Sequence, residues 1–370
     1  MSKLEKLLQQ LCPDGVEYKA LEDVLTIKNG RDYKQFGEGK IPVYGSGGIM
    51  AYIDTAIYNK PSVLIPRKGS LDKLYYVDSP FWNVDTIFYT HINTALVIPK
   101  YVYYCLSAQH LERLNKAGGV PSLTQSILNK VSIPLPPLEV QREIVRILDQ
   151  FTELTAELTA ELTARKKQYE YYRDELFRTA QDAEIYYLNE ISENCDNQRK
   201  PVTSGNRIAG EYPYYGASGI VDYVDDYIFD GDYLLISEDG ANLLARSTPI
   251  AFSISGKNWV NNHAHVLRFD TYETRKYVEI YLNSIDLSPY ITGGAQPKLN
   301  QKNLNKIPIP LPAPGEQRRI VSILDRFDTL CNDLTNGLPA EIEARRKQYE
   351  YYRDKLLIFK KNTSDSFRGE

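Results

Sequence analysis

Two histidines separated by one residue form the pattern in this chain that is closest to a metal site. His263 and His265 lie in an alternating run, residues 262–267, so on a strand both imidazoles would point to the same face. Two imidazoles can ligate one ion, but no carboxylate or cysteine in the pattern completes a usual ligand set. We therefore prefer a polar strand face beside Asn261 and Asn262 and predict no metal site.

The common catalytic sequence motifs are missing. The chain has no GxxxxGK[ST] phosphate loop, no GxGxxG sequence after a strand and no Asn/Asp-Pro-Pro-aromatic tetrapeptide. We therefore predict no catalytic residue in this chain and no site for ATP or S-adenosylmethionine.

Two glycine-rich turns, residues 45–48 and 216–219, are candidates for binding phosphate through backbone amides. Both precede aliphatic residues and predicted strands, whereas phosphate-binding turns usually precede helices. We therefore favour turns that the fold itself requires. Ser46 and Ser218 would then lie where hydroxyl and backbone donors can approach a nucleic-acid duplex.

Basic residues in predicted loops are the candidates for contact with nucleic acid. Each one alone is more typical of a solvated surface charge. As groups near the glycine-rich turns, they resemble sets that position phosphates, while Asn, Gln and Arg read base edges. They are Arg31, Lys34, Lys40, Arg67, Lys68 and Lys73 in the first half, and Arg199, Lys200, Arg207, Arg246, Lys257 and Lys298 in the second.

The two halves of the chain differ in charge. The net charge of the whole chain is -4. Counted separately, residues 1–137 contain 15 Lys and Arg against 12 Asp and Glu, whereas residues 181–312 contain 11 against 17. Since local patches determine the electrostatic footprint, this difference indicates two divergent surfaces on a common scaffold.

That common scaffold is evident as an internal duplication. The sequence RKKQYEYYRDEL at residues 165–176 recurs as RRKQYEYYRDKL at residues 345–356, and the strap Ile-Pro-Leu-Pro at residues 133–136 recurs at residues 309–312. The repeat covers about half of the chain, which is far longer than a solenoid repeat. We therefore predict two homologous domains, each followed by a helix.

Both predicted helices carry an apolar stripe with alternating spacings of three and four, which is typical of a packed helix pair. The first helix contains Glu-Leu-Thr-Ala three times, at residues 153–164. One copy adds about one helical turn, near 6 Å, so a change in copy number would alter length without destroying the helix. Gly337 and Pro339 interrupt the second helix, where we expect a kink or restart.

The predicted fold class is α+β, with two homologous mixed α/β domains joined by two long antiparallel coiled-coil helices in a pseudo-twofold arrangement. Leu4, Leu7, Leu8 and Leu11 form one face of a short N-terminal helix, which we expect to pack near the end of the second long helix. The predicted segments are an N-terminal helix (1–17), a first globular domain (18–137), a first helical spacer (138–180), a second globular domain (181–313), a second spacer (314–360) and a disordered tail (361–370).

Cysteine spacing and hydropathy indicate the cellular compartment of the protein and the state of its thiols. The four cysteines form no CxxC pair, and no apolar run approaches the length of a membrane span. The N-terminus lacks the apolar core of a signal peptide. We therefore expect a cytoplasmic protein with reduced thiols and no contact with a membrane.

The duplicated domain, the Ile-Pro-Leu-Pro straps, the helix starts EVQREIV and EQRRIV, and the helix ends QYEYYRD together resemble the specificity subunit of a type I restriction-modification enzyme. The resemblance covers almost the whole chain. It implies that each globular segment is a target recognition domain that reads one half of a bipartite site in double-stranded DNA. It also implies that the helices set the spacer length and dock two methyltransferase subunits.

The same resemblance implies a non-catalytic subunit of a restriction endonuclease and adenine-N6 methyltransferase complex. S-adenosylmethionine, ATP and Mg²⁺ would belong to the methyltransferase and restriction/translocase subunits, with no cofactor in this chain. The candidate partner-binding residues on the helices are Arg142, Arg165, Tyr169, Tyr172, Arg318, Arg345, Tyr349 and Tyr352. The alternative is a non-productive or silent scaffold for methyltransferase subunits, an interpretation that the acidic second domain favours.

Overall fold

The computed structural model describes residues 2–115, 121–180, 182–294, 296–333 and 335–362. The chain forms two compact units: unit 1 comprises Met1–Thr159 and Glu341–Glu370, and unit 2 comprises Ala160–Ala340. The boundaries fall inside both long helices, whereas the sequence predicts the helices as segments separate from the globular domains. Each unit therefore combines one globular domain with parts of both helices. In the described ranges, no helix is long and apolar enough to cross a membrane.

Unit 1 contains a mixed α/β domain between a short helix and a long one. It begins with α1 (Lys3–Leu11), β1 (Glu17–Ala20) and α2 (Leu21–Val24). The next strands are β2 (Leu25–Asn29), β3 (Glu38–Gly45), β4 (Gly48–Ile53), β5 (Ser62–Pro66), β6 (Tyr75–Val77), β7 (Trp82–Asn83) and β8 (Ile87–Ile92). Then follow α3 (Pro99–Ala108), a 3-10 helix (Leu111–Leu114), α4 (Gln125–Asn129), β9 (Ser132–Leu135) and α5 (Leu138–Thr179).

Two sheets form the body of unit 1. One is an antiparallel sheet with the order β2-β8-β5-β6, and the other has the order β4-β3-β7 with β3 and β7 parallel. All five residues of β5 are buried, as expected for a central strand that is covered on both faces. The main core joins this strand to α3, α1 and the beginning of α5, with Tyr101 and Ile144 fully buried.

Unit 2 repeats this architecture. Its elements are β10 (Ile185–Tyr186), α6 (Leu188–Ile191), β11 (Glu193–Asn194), β12 (Ala209–Gly216), β13 (Gly219–Val224), β14 (Phe229–Asp230), β15 (Tyr233–Ser237), α7 (Asn242–Ala245), β16 (Ala251–Ile254), β17 (Lys257–Val260), β18 (Ala264–Arg268), α8 (Tyr272–Ser284), α9 (Gln301–Leu304), β19 (Ile309–Pro310) and α10 (Pro314–Asn332), with 3-10 turns at Asp196–Gln198, Ser204–Asn206 and Ser288–Tyr290. Its sheets have the orders β11-β18-β15-β16 and β13-β12-β17-β14. The last helix of the chain is α11 (Leu338–Leu357).

The glycine-rich turns close matching β-hairpins, β3–β4 and β12–β13. Gly45 pairs with Gly48, and Gly216 pairs with Gly219, so each turn has two central residues. Gly48 and Gly219 have φ angles of 122° and 121°, which glycine adopts without the strain of a side chain. The turns lead into strands, as the preference for fold-required turns predicts. Register shifts occur at the same places in both hairpins.

The Ile-Pro-Leu-Pro straps are strands anchored to the domains. In unit 1, β9 pairs antiparallel with β1, and in unit 2, β19 pairs with β10. The first residues of each following helix hold the strap, because the side-chain amides of Gln141 and Gln317 donate to the carbonyls of Pro136 and Pro312 at 2.8 and 2.7 Å. Each strap is therefore an extended segment that leads into a helix and pairs with a short strand of its own unit.

The two long helices differ as the sequence predicts. Helix α5 is continuous over 42 residues. Helices α10 and α11 are separated by a complete break rather than a kink, in which the Asp333 carboxylate accepts hydrogen bonds from the backbone amides of Thr335 and Asn336 at 2.7 and 3.1 Å. A side chain at Gly337 would lie 2.6 Å from the carbonyl oxygens of Asp333 and Thr329, so only glycine fits there.

The helix segments within unit 2 run antiparallel. Phe327 contacts Tyr172 and Tyr169, with ring centroids 5.8 and 6.5 Å apart. Cys331, one turn further along α10, lies within electrostatic range of Lys166, which precedes those tyrosines in α5. In unit 1, the equivalent rings of Phe151 and Tyr352 stack at 5.3 Å. The repeated tyrosines therefore pack against aromatic residues of the paired helix segment.

Both chain ends belong to unit 1. Leu4 of α1 is buried in the same core as Leu357, and Leu7, Leu8 and Leu356 pack against that core, whereas Leu11 is exposed. Lys361 bridges Val16, and Asn362 donates its amide to the Val16 carbonyl at 3.0 Å. Residues 361 and 362 of the predicted disordered tail take part in this pairing, and residues 363–370 lie outside the described residues.

Candidate nucleic-acid interface

Loops that are distant in sequence meet at one end of unit 1. The hairpin turn contacts the β7–β8 loop, where the amide of Ser46 donates to Thr86 Oγ1 at 3.3 Å. The loop after β5 reaches the same place, since the amides of Arg67 and Lys68 donate to the Thr86 carbonyl at 2.9 and 3.2 Å. The first loop cluster, as we name it, consists of Arg31, Ser46, Arg67, Lys68, Asp85 and Thr86.

The equivalent loops meet in unit 2. The Ser237 hydroxyl donates to the carbonyl of Ala217 in the hairpin turn, and the Glu238 amide donates to the His263 carbonyl at 2.9 Å. The segment before α9 joins them, because the Leu299 amide donates to the Glu238 carbonyl at 2.8 Å. The second loop cluster, as we name it, consists of Arg199, Lys200, Ser218, Glu238, Asp239, Asn262, His263 and Lys298.

The loops after β5 and β15 occupy the same place with opposite charge. In unit 1, the Arg67 carbonyl accepts from the amide of Leu123, and in unit 2, the Glu238 carbonyl accepts from the amide of Leu299. Lys68 and Asp239, the next residues, form bridges to the equivalent segments before α4 and α9. Arg-Lys-Gly in unit 1 is therefore replaced by Glu-Asp-Gly in unit 2 on a shared backbone.

Charged side chains in the second loop cluster are largely paired with one another. Arg199 donates to Glu238 at 2.7 Å and lies 3.3 Å from Asp196. His265 Nδ1 is 2.6 Å from Asp196 Oδ2, and His265 Nε2 is 2.8 Å from the Leu299 carbonyl. Burial opposes ionisation of Asp196, but the hydrogen bond and charge of His265, together with Arg199, hold its pKa below the usual range.

This network corrects one sequence argument about the histidines. The fold brings two carboxylates, Asp196 and Glu238, beside His265, although the sequence pattern contains none that would complete a ligand set. Arg199 and Lys298 bind these carboxylates, with Lys298 Nζ at 3.1 Å from Glu238 Oε1. Oppositely charged partners therefore account for the carboxylates, and the arrangement is a salt-bridge network. His263 lies apart from it and pairs with Asp239 at 2.9 Å.

Part of the predicted DNA-binding set lies in the loop clusters. Arg31 is exposed, and its backbone is fixed between Asn83 and Trp82 through bonds of 2.9 Å. Lys68, Lys200 and Ser218 are exposed, whereas Arg67 and Ser46 are partly buried. Arg199 is only 14% exposed and is occupied by its ion pairs.

The other predicted basic residues lie outside the loop clusters. Arg207 pairs with Asp222 at 3.1 Å, and Arg246 donates to the Ile285 carbonyl at 2.7 Å, beyond the end of α8. Lys257 lies over the ring of Tyr227, whose hydrogen bond raises the pKa of the ammonium group. The remaining three are exposed: Lys34 before β3, Lys40 in β3 and Lys73 after β5.

Sequence reasoning missed several members of the clusters. Asp85 and Thr86 follow β7, and Glu238 and Asp239 follow β15. None of these residues is basic, so the selection of basic residues in loops did not include them. Aligning the two halves through the repeated Gly-rich turn would have placed Glu238 opposite Arg67. That alignment is the signal that could have identified these loops.

The predicted partner-binding residues lie on the helices with different exposure. Arg142 and Arg318 are exposed near the helix starts, and Arg318 donates to Glu273 at 3.3 Å. Arg165 and Arg345 make the same contacts, each donating to a glutamine three residues later, at 2.9 and 3.1 Å. The tyrosines behave as pairs. Tyr169 and Tyr349 are partly buried, and their neighbours Tyr172 and Tyr352 are more exposed.

Comparison with known proteins gives a consistent match. The family model for the type I restriction modification DNA specificity domain matches residues 13–165 and 180–344. A putative type I restriction enzyme specificity subunit of Haemophilus influenzae is 31% identical over 385 residues, which cover 96% of this chain and 98% of that protein. The specificity subunit of the Escherichia coli enzyme EcoR124I/EcoR124II is 37% identical over 71% of both chains.

Solved structures agree in fold. The S subunit of a type I restriction-modification system from M. genitalium aligns with a TM-score of 0.64 and 18% sequence identity, covering 93% of this chain and 96% of that one. A second chain, from a study of complex assembly and conformational transition of the type I R-M system, aligns with a TM-score of 0.58 and 17% identity over 94% and 98% of the two chains.

Proposed function

Because this chain belongs to the family of type I restriction-modification specificity subunits, which give such systems their DNA sequence specificity, we propose that its two loop clusters read the two halves of a bipartite site. Unit 1 would read one half through Arg31, Arg67 and Lys68. Unit 2 would read the other half through Lys200, Ser218 and the loop that contains Asp239.

The observation that carries this proposal is the opposite charge of one loop on a shared backbone. A surface that recognises a DNA sequence needs a constant backbone to position the duplex and variable side chains to contact the bases. Arg67 and Lys68 offer donors, which suit the O6 and N7 acceptors of guanine. Asp239, at the position equivalent to Lys68, offers a carboxylate acceptor, and carboxylates can accept from the N4 amino group of cytosine. Two different half-sites follow from this difference.

The helices are proposed to set the distance between the half-sites and to dock two methyltransferase subunits. The three Glu-Leu-Thr-Ala copies, residues 153–164, lie in unbroken α5, and the unit boundary falls between Thr159 and Ala160. The near-identical sequences at residues 165–176 and 345–356 suit two identical partners.

The chain itself is proposed to act without chemistry of its own. The methyltransferase subunits would bind S-adenosylmethionine and methylate adenine, and restriction/translocase subunits would use ATP and Mg²⁺, all in the cytoplasm. The competing function is a silent scaffold, which the paired charges of the second loop cluster favour.

Mapping of methylated adenines separates these two functions. A host that carries the methyltransferase subunit is sequenced with and without this chain. If the chain recognises DNA, a bipartite methylated motif appears only when the chain is present. Footprinting of the complex then shows two protected tracts of DNA that flank an unprotected spacer. A complex that assembles but methylates no defined motif would establish the scaffold instead.

A further inference from the structure

The outer strand of each hairpin carries an exposed apolar surface that the loop clusters leave unused. Ile49, Met50 and Tyr52 of β4 are 48%, 56% and 55% exposed. Ile220, Val221 and Tyr223 of β13 are 49%, 58% and 50% exposed. We name these two sets the hairpin strips.

The hairpin strips occupy matching positions in units whose loops differ. The burial pattern is the same position by position in β4 and β13, and also in β3 and β12. Met50 lies over Gly45, with its sulfur 3.0 Å from where a side chain would begin, and Val221 lies over Gly216 at the same distance. The two hairpin strips therefore share the same positions in their hairpins, the same exposure and the same apolar type of side chain.

Each strip lies at the edge of a sheet. In the described sheets, β4 and β13 pair on one side only, with β3 and β12. Exposed edge strands are usually protected by lysine, proline or a covering element, because an apolar edge invites association. Neither strand contains Lys, Arg or Pro. Such a surface is typical of a binding site for protein.

Charge argues against DNA as the occupant. Affinity for a duplex comes mainly from cations that neutralise phosphates. The one charged residue of the two strands is Asp222, which binds Arg207 at 3.1 Å. In unit 1, Lys34 and Glu38 lie on the same side of the hairpin as Tyr52, and Lys40 follows Glu38 in β3, so cations and a carboxylate are mixed there. The strips are therefore apolar surfaces with little net charge.

From this repetition we infer that each hairpin strip docks one copy of the same protein partner, through an apolar surface of that partner. Two matching strips on units with different loops suit two identical occupants. The inference rests on the proposed function, in which the identical partners are methyltransferase subunits, and it adds a contact on each globular domain to the docking proposed for the helices.

Charged substitutions at the strips test this inference, because lysine would oppose protein docking but favour DNA. The variants are Met50→Lys, Val221→Lys and the pair together. The control is Leu244→Lys. Leu244 is an apolar residue of similar exposure, 54%, that lies outside the hairpin strips, and the equivalent residue of unit 1 is already a lysine, Lys73. Each full-length chain is co-expressed with the methyltransferase subunit, and native mass spectrometry measures the subunits bound. Circular dichroism checks the fold.

We expect each single variant to bind one methyltransferase copy at least about 10-fold more weakly, which corresponds to about 1.4 kcal/mol. The double variant should bind both copies more weakly, and Leu244→Lys should bind as the unmodified chain does. Unchanged binding of the methyltransferase would overturn the inference, with or without tighter DNA binding, and so would an equal loss in Leu244→Lys. Failure of the proposed function is distinguishable, because it would appear in the unmodified chain as the absence of a methylated bipartite motif.

Discussion

At the scale of single residues, Lys68 and Asp239 offer the clearest test of base reading, since they occupy equivalent loops and have opposite charge. We expect Lys68→Asp to change the half-site read by unit 1 and leave the other half and the spacer intact. Asp239→Lys should change only the half-site read by unit 2. Methylation sequencing measures both. Exposed Lys73→Asp, in unit 1 but outside its loop cluster, serves as the control and should leave the motif unchanged.

The buried carboxylate of Glu143 should make the stability of unit 1 depend on pH. Hydrogen bonds and charge from Arg146 and Lys3 lower its pKa from 4.5 to about 2. A lowered pKa stabilises the fold above about pH 4.5, and the contribution is lost as the pH falls toward 2. Because Arg146 and Lys3 are exposed, we expect only roughly 1 to 2 kcal/mol from this group at pH 7.

Replacement of that carboxylate tests the prediction. Glu143→Gln should lower the free energy of unfolding at pH 7 and flatten its decline between pH 5 and 2. Urea unfolding is followed by Trp82 fluorescence on a Trp259→Phe background, so that the signal reports unit 1 alone. Exposed Glu153→Gln, also in α5, is the control. A decline as steep in Glu143→Gln as in the parent would contradict the assignment.

At the scale of elements, local patterns predicted well and distant contacts did not. The stripe in α5 and the interruption at Gly337 were predictable because helical spacing and glycine act within a few residues. The loop clusters were not, since Ser46, Arg67 and Thr86 are about 20 residues apart and meet only through the sheets. Arg199 and Arg246 show the same limit. The sequence predicts both as loop arginines that can contact nucleic acid, but in the structure their guanidinium groups bind other groups of the protein.

The Glu-Leu-Thr-Ala segment of α5 should act as an adjustable spacer. Thr155 and Thr159 each donate to the backbone carbonyl four residues earlier, at 2.9 and 2.8 Å, so the repeats bond in the same way. Deletion of residues 157–160 removes one repeat and about 6 Å of helix. At 3.4 Å per base pair, the preferred spacer should shorten by one or two base pairs.

Methylation sequencing with a library of spacer lengths measures this change. The matched control replaces residues 157–160 by four alanines, which keeps the helix length and should keep the spacer. Altered half-sites in the deletion variant, or an unchanged spacer, would contradict the role of the repeat.

At the scale of the whole molecule, the contacts that hold each domain to its helices are the same in the two units, whereas the contacts in the loop clusters differ. In unit 1, the core joins the domain to α1, α5 and α11, and the Tyr101 hydroxyl donates to the Pro134 carbonyl at 3.2 Å. In unit 2, Tyr277 donates to Pro310 in the same way, at 2.7 Å. The frame that holds each domain to its helices is therefore shared, although the loop clusters differ.

Exchange of one domain should therefore change one half-site only. The amide of Leu21 donates to the Val131 carbonyl at 2.9 Å, so the ends of segment 21–131 are adjacent, and an exchange there keeps β1, β9 and both helices. With a donor domain that retains the tyrosine at position 101, we expect a new sequence in one half and an unchanged second half and spacer. Exchange of segment 188–307 should change the other half. Methylation motifs that change in both halves after a single exchange would show that the units do not read DNA independently.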